Sequence, residues 1–198
     1  MKLDVVVGID EVGRGPLAGP VVIAAYIVPL QQFEYFIELT KGIKDSKKLS
    51  QNKRAKWIET LLTVREFFAV IKEQSADEID EQGISWCLKQ CIIDALEEIS
   101  QKNTISKVYL DGSLYAPLEY EQETIIKGDE SHPIISVASI FAKQYRDTKM
   151  RELAKEYPKY GFESHVGYGT KQHYAAIEEY GIISTVHRIS FLKKILQG

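Results

Sequence analysis

Two adjacent acids, Asp10 and Glu11, close an otherwise apolar segment that begins at Leu3. Two further acids stand in similar places, Asp111 after Val108-Tyr109-Leu110 and Asp129 after Lys127-Gly128. Carboxylate oxygens are hard donors, and a set of them suits Mg²⁺ or Mn²⁺. Two such ions held about 3.5–4 Å apart can activate a water and stabilise both the attacking and the leaving oxygen of a phosphodiester. The ions in turn offset the repulsion that would raise the carboxylate pKa values. No thiol or imidazole spacing competes for the metal. Cys87 and Cys91 form a C-x-x-x-C pair without nearby histidines, whereas a structural zinc needs four ligands. They are read as small apolar residues on the core-facing stripe of a helix. His132, His165, His173 and His187 are scattered and are read as capping or structural hydrogen-bonding groups.

Something must bring these acids together. Alternation along a strand points neighbouring side chains to opposite faces, so Asp10 and Glu11 can share a site if the backbone bends there. A turn crowded with Gly13, Gly15, Pro16, Gly19 and Pro20 follows them directly. The other reading of the pair is two solvated turn residues. Strands are predicted over residues 3–10 and 21–28, near 67–72, and again at 107–111 and 124–127. Ser50 is placed to cap a helix running to about Leu62, and Ser75-Ala76-Asp77-Glu78 fits a capping box. Helical sequence then continues, with a break near Gly83, to about Ser100. Further helices are expected from Ile134 to about Tyr157, stopped by Pro158, and over Thr170–Tyr180 with Gly181 as C-cap. This order implies an α/β fold: a mixed sheet with helices packed on it. Acids ending separate strands of such a sheet can converge on one crevice. The expected organisation is a catalytic domain over residues 1–156 and a small helical extension over 157–198 packed against the sheet, with a soft boundary between them.

Bulk properties exclude more than they assert. The chain has 198 residues, the size of one domain. Its longest apolar run, Val21 to Val28, is far too short to span a bilayer, and the N-terminus shows no secretory pattern. A cytoplasmic location is the expectation. The net charge of −3 does not announce a nucleic-acid binder. Its distribution is less neutral, with Lys41, Lys44, Lys47, Lys48, Lys53, Arg54 and Lys56 in one stretch and Lys143, Arg146, Lys149 and Arg151 in another. Both sets can equally be solvated faces, and charge alone does not decide between the two readings.

The run from Gly8 to Val21, Gly-Ile-Asp-Glu-Val-Gly-Arg-Gly-Pro-Leu-Ala-Gly-Pro-Val, resembles the N-terminal signature of the ribonuclease HII family. Asp45-Ser46-Lys47-Lys48-Leu49-Ser50, the strand ending in Asp111-Gly112, Lys127-Gly128-Asp129, Ala138-Ser139-Ile140, Ala142-Lys143, Arg146-Asp147, Gly167-Tyr168-Gly169-Thr170 with His173, and His187-Arg188 with Ser190-Phe191 resemble its later motifs in order. Three positions depart from the family pattern. Val166 stands where lysine is usual, Ser113 where asparagine is common, and Val137 replaces an alanine.

The resemblance implies a ribonuclease H-like mixed five-stranded sheet flanked by helices, with Mn²⁺ or Mg²⁺ held by Asp10, Glu11, Asp111 and Asp129. It implies that the activity is endonucleolytic cleavage of the RNA strand of RNA–DNA hybrids, including single ribonucleotides in duplex DNA. Two-metal catalysis would leave 5′-phosphate and 3′-hydroxyl ends. The turn Gly13-Arg14-Gly15 would contact the ribose 2′-hydroxyl, the group that separates RNA from DNA. Tyr168 would pack on the sugar across the junction, and Lys47, Ser139 and Lys143 would meet phosphates. For Lys143 an i,i+4 pairing with Asp147 is the alternative. The competing function is a catalytically weak nucleic-acid-binding module of the same fold. A dinucleotide loop fails on context, because Pro20-Val21-Val22-Ile23 leads into a strand rather than a helix. Ribonuclease HIII is disfavoured because the catalytic signature starts within the first ten residues. The segment Ile189–Gly198 carries no sliding-clamp peptide motif, and a monomer is expected.

Overall fold

A computed structural model describes residues 2–43 and 49–196, the last four by backbone alone. Strand β1 (Leu3–Val12) runs up the centre of the molecule. It pairs antiparallel with β2 (Val21–Pro29) on one side and parallel with β4 (Asn103–Asp111) on the other. β3 (Phe68–Gln74) extends the sheet beyond β2, and β5 (Gln122–Ile125) extends it beyond β4, giving the order β3-β2-β1-β4-β5. Every residue of β2 is buried, as expected for a strand covered on both faces.

The period of two along β1 and β2 sorts the core into two layers. Val5, Val7, Ile9, Ile23 and Ala25 pack with Cys87, Leu88, Cys91, Ile92, Ala95 and Leu96, all from α4 (Ile84–Lys102). The two cysteines are buried and free on this face. On the opposite face, Val6, Ala24, Tyr26 and Val28 meet Phe36, Leu61, Ile134, Ile135, Val137 and Ala138. These come from α1 (Phe33–Leu39), α2 (Gln51–Leu62) and the long α6 (Pro133–Glu156). α1 has no counterpart among the sequence expectations.

Two local signals predict helix starts correctly. The Ser50 hydroxyl accepts from the Lys53 amide, and Ser75 with Glu78 forms a reciprocal capping box on α3 (Ala76–Gln82). β4 begins at Asn103, four residues ahead of the predicted strand. Its first half is polar and only partly buried, so hydrophobic pattern does not reveal it.

Beyond α6 the chain forms α7 (Phe162–His165), α8 (Lys171–Tyr180) and α9 (Ile189–Leu196). This region packs less on the sheet than on the turn between β1 and β2. Leu17 N donates to Gly167 O, Gly19 N to Val186 O, and Arg188 N to Leu17 O. Ala18 and His187 form an isolated antiparallel bridge. The expected cap against the sheet is therefore a brace for the turn.

Candidate active site

The parallel ladder between β1 and β4 ends at Ile9 and Leu110. The next residues, Asp10 and Asp111, lie where the two strands part. No bend separates Asp10 from Glu11, because β1 keeps its register with β2 through Val12. The expected kink is absent, and the opened ladder replaces it. Side chains from either face of β1 can reach the gap, and one carboxylate oxygen from each of Asp10, Glu11 and Asp111 lies within 4.8 Å of the others.

Asp10 lies on the face of β1 that meets α6. Gly8, on the same face, lets that helix come close: a Cβ there would sit 2.6 Å from the Ile134 carbonyl oxygen. The close approach brings Ser139 of α6 to hydrogen-bond the Asp10 carboxylate. Ser139 is 5% exposed. It sits beneath the acids rather than on an open surface, so its placement serves the carboxylate more directly than a phosphate. Asp129 follows Gly128 at the start of a single helical turn, α5 (Gly128–Ser131), and is also buried. Its amide donates to Asp111 Oδ1 at 3.2 Å, while its carboxylate is not one of the three clustered groups.

The electrostatics of the cluster are those of a cation site. Burial raises the Asp10 pKa well above the usual carboxylate range. The Ser139 hydrogen bond opposes the rise, and the charges of Glu11 and Asp111 add to it. Burial also raises Glu11, with Asp111 next, while the Arg14 guanidinium pulls it back. One Glu11 oxygen, Oε2, is buried without a hydrogen-bond partner. An orphaned carboxylate oxygen among repelling acids is costly unless a cation or a proton joins it. The donor set therefore fits a hard divalent ion.

The glycine-rich turn beside the acids is held from beneath by two buried arginines. Arg146 donates to Pro20 O, Val166 O and Ala18 O at 2.9, 2.9 and 3.0 Å. Arg188 donates to Gly13 O at 2.7 Å, to Arg14 O at 3.2 Å, and to Gly19 O through two of its nitrogens. Desolvation lowers both guanidinium pKa values, to about 10 for Arg146 and about 9 for Arg188. Gly13 is required where it stands: its φ is +88°, and a Cβ would meet Arg146 Nε at 2.3 Å. In a trans peptide the C=O and the following N–H point in opposite directions. With Gly13 O and Arg14 O directed at Arg188, the amides of Arg14 and Gly15 face away from it. Gly15 has open space where a side chain would stand. The Arg14 side chain arches back, 3.6 Å from Glu11 Oε1 and 3.3 Å from Ser113 Oγ.

Tyr168 is 43% exposed and follows Gly167, whose carbonyl accepts from Leu17. The tyrosine thus stands next to the braced turn. Lys143 ion-pairs with Asp147 at 2.7 Å, and Asp147 also takes Arg54 at 2.9 Å. Of the two readings of Lys143, the intramolecular pair is the one formed. The second basic stretch is largely spent inside the molecule: Arg146 is buried, and Lys149 pairs with Glu73. Lys47, together with Lys44, Asp45, Ser46 and Lys48, lies outside the described residues, as do Gln197 and Gly198 at the end of the segment considered for a clamp peptide. Sequence reasoning assigned no role to Arg146 or Arg188. The available signal was a turn rich in backbone carbonyls, which need donors when buried, but nothing local says which residues supply them.

A mixed sheet that collects carboxylates where its central parallel strands part, with a glycine-rich turn beside them, defines a class: a ribonuclease H-like α/β protein with a hard-cation site. The comparisons narrow it. The family model for ribonuclease HII matches residues 7–194. A ribonuclease HII of Clostridium acetobutylicum is 44% identical over 192 residues, covering 97% of this chain and 74% of that protein. The crystal structure of ribonuclease H2 from Pyrococcus horikoshii OT3 superposes with a TM-score of 0.76 at 27% identity, over 98% of this chain and 97% of that one. Bst-RNase HIII, solved in complex with Mn²⁺, shares the fold at a TM-score of 0.69 and 16% identity, over 99% of this chain and 70% of its own. The chain belongs to the ribonuclease HII family and is an endoribonuclease of the ribonuclease H type.

Proposed function

We propose that the enzyme hydrolyses the RNA strand of RNA–DNA hybrids and cuts at single ribonucleotides embedded in duplex DNA, leaving 5′-phosphate and 3′-hydroxyl ends. The observation that carries this reading is the juxtaposition of the Asp10–Glu11–Asp111 cluster with the Gly13-Arg14-Gly15 turn, whose Arg14 and Gly15 amides face away from Arg188.

Asp10, Glu11 and Asp111 would hold Mg²⁺ or Mn²⁺, with Asp129 as the fourth acid brought close through its backbone link to Asp111. When bound, such ions supply Lewis-acid activation of water and neutralise charge on the phosphodiester oxygens. The protein's own part is positioning. Ser139 orients the Asp10 carboxylate. Arg188 and Arg146 fix the turn so that Gly13-Arg14-Gly15 presents backbone rather than side chains to a ribose 2′-hydroxyl. Tyr168 stands at the neighbouring sugar, where small misplacement can lower the rate on the order of a hundredfold. Lys47, Ser139 and Lys143 were candidate phosphate contacts. In this reading Ser139 works through Asp10, and Lys143 reaches a phosphate by exchanging its partner Asp147. Residues 157–198 act as an extension that shapes the turn of the 1–156 domain, and the enzyme works as a cytoplasmic monomer.

The test is cleavage of a DNA duplex carrying one ribonucleotide, beside an all-DNA duplex, with Mg²⁺ or Mn²⁺. A cut on the 5′ side of the ribonucleotide, with 3′-hydroxyl and 5′-phosphate ends, is expected. No cleavage despite tight binding would favour the binding-module reading. A 2′,3′-cyclic phosphate product would replace the metal mechanism with acid–base chemistry by histidine.

A further inference from the structure

Beneath Tyr168 three histidines are buried together: His165, His173 and His187 are 6%, 0% and 0% exposed. The rings of His165 and His173 stack at 4.4 Å between centroids. His173 Nε2 lies 3.1 Å from His187 Nε2, so one of the two nitrogens must carry a proton and the other must accept it.

The backbone decides which. Ile183 N donates to His187 Nδ1 at 2.9 Å, closer than the Ile183 carbonyl at 3.3 Å, so Nδ1 is bare and the His187 proton is on Nε2. That proton points at His173 Nε2, which accepts it. The His173 proton is then on Nδ1, and it meets the Tyr168 carbonyl oxygen at 3.0 Å. The reverse assignment fails at His173, where a bare nitrogen would face the Tyr168 carbonyl. At His187 it would turn an N–H toward the Ile183 N–H and leave it only the longer contact, 3.3 Å, to the Ile183 carbonyl. A second chain runs the same way: Gly167 N donates to His165 Nδ1 at 3.2 Å, leaving His165 Nε2 to donate to Tyr160 O at 2.7 Å. Both chains end on the Gly167-Tyr168 segment, one on its amide and one on its carbonyl.

We propose that His173, seated by His187 and paired with His165, is a positioning residue for Tyr168: three neutral histidines in one fixed set of tautomers clamp the backbone that carries the tyrosine. The claim rests on the reading of Tyr168 as the residue that packs on the sugar at the junction. All three rings must be neutral for the clamp to close, because a second proton on any ring faces a donor already in place. The arrangement also uses both nitrogens of all three rings, leaving none for a metal.

Two measurements test this. Long-range ¹H–¹⁵N spectra of the protein with ¹⁵N-labelled histidine should show His173 as the Nδ1–H tautomer and His165 and His187 as Nε2–H at neutral pH. His173 in the Nε2–H form, or any of the three charged, would overturn the assignment without reference to activity. For the positioning role, His173→Leu is expected to lower kcat on the single-ribonucleotide duplex about tenfold or more with little change in KM. His173→Asn, which keeps a donor near the Nδ1 position, should recover most of that loss. The loss from His173→Leu should disappear in a Tyr168→Ala background. If Tyr168→Ala impairs cleavage but the two losses multiply independently, His173 does not act through Tyr168. If Tyr168→Ala has no effect at all, the reading of Tyr168 fails and takes the positioning role with it, while the tautomers are still judged by the spectra. Circular dichroism of each variant separates these outcomes from unfolding.

Discussion

Asp10 concentrates the conflict between stability and chemistry in one side chain. It is 3% exposed, beside two other acids, and its carboxyl titrates well above the ordinary range. A raised folded-state pKa means that the stability contributed by this group is complete below the unfolded-state value and is lost as pH rises through the folded one. Asp10→Asn removes that conflict. The metal-free variant should therefore melt higher than the metal-free wild type, by about 1 kcal/mol, with the gap opening as pH rises. Its cleavage rate in Mg²⁺ should fall about a thousandfold or more, because a neutral amide cannot hold the ions as an anionic carboxylate does. A variant that melts at the wild-type temperature across the pH range would show that Asp10 is not strained. The acids themselves were legible in the sequence, since each ends an apolar segment. Ser139 was not legible as the partner of Asp10, because that contact depends on how closely α6 approaches Gly8.

At the scale of elements, the segment joining α7 to α8 is held in backbone conformations that its residues do not all favour. Val166, a β-branched residue, has φ +45°, and Gly167 follows at +87°. A left-handed conformation costs a non-glycine residue roughly 1–2 kcal/mol. The Val166 carbonyl accepts from Arg146 and the Gly167 carbonyl from Leu17, so the conformation is imposed from outside. Val166→Asn should be neutral or stabilising by up to about 1 kcal/mol in thermal melts, since asparagine tolerates this region. Gly167→Ala should destabilise by about 2 kcal/mol or more, because its Cβ would lie 2.4 Å from Ala18 O and the positive φ adds strain. Equal melting temperatures for Gly167→Ala and wild type would show that the segment can shift freely. The strands and capped helices were readable because their signals are local: alternation in β2, and Ser50 and Ser75 at helix starts. The left-handed pair was not, because residues distant in sequence enforce it.

For the whole molecule, two responses should be visible without any substrate. Burial lowers the His173 pKa to about 4, with the Tyr168 carbonyl opposing, and burial likewise lowers that of His187. A lowered folded-state pKa makes the associated stability complete above the unfolded value near 6.5 and progressively lost on acidification. The melting temperature should fall as pH drops from about 6.5 towards 4, and His173→Asn should flatten that slope. An unchanged slope would place the acid sensitivity elsewhere. In the other direction, Mn²⁺ or Mg²⁺ at a hundred times its dissociation constant should stabilise the fold by about 2.7 kcal/mol, and EDTA should reverse the effect. Absence of a shift would leave the acidic cluster without its ion. A mixed sheet was foreseeable from strand and helix order, and its ribonuclease H-like five-stranded form from the family resemblance. That the C-terminal region braces the β1–β2 turn rather than covering the sheet was not, because those contacts span nearly the full chain.

That span has a consequence for how the enzyme comes into being. The Arg188 hydrogen bond to Gly13 joins residues 175 apart, and the Arg146 bond to Pro20 joins residues 126 apart. During synthesis the turn is made well before the arginines that give it its shape. A growing chain can pair β1 with β2 and later with β4, and so gather its acids, while the loop beside them still lacks its mould. The shape of the turn is thus acquired after the acids can be gathered, when Arg188 closes over peptide bonds laid down well before it.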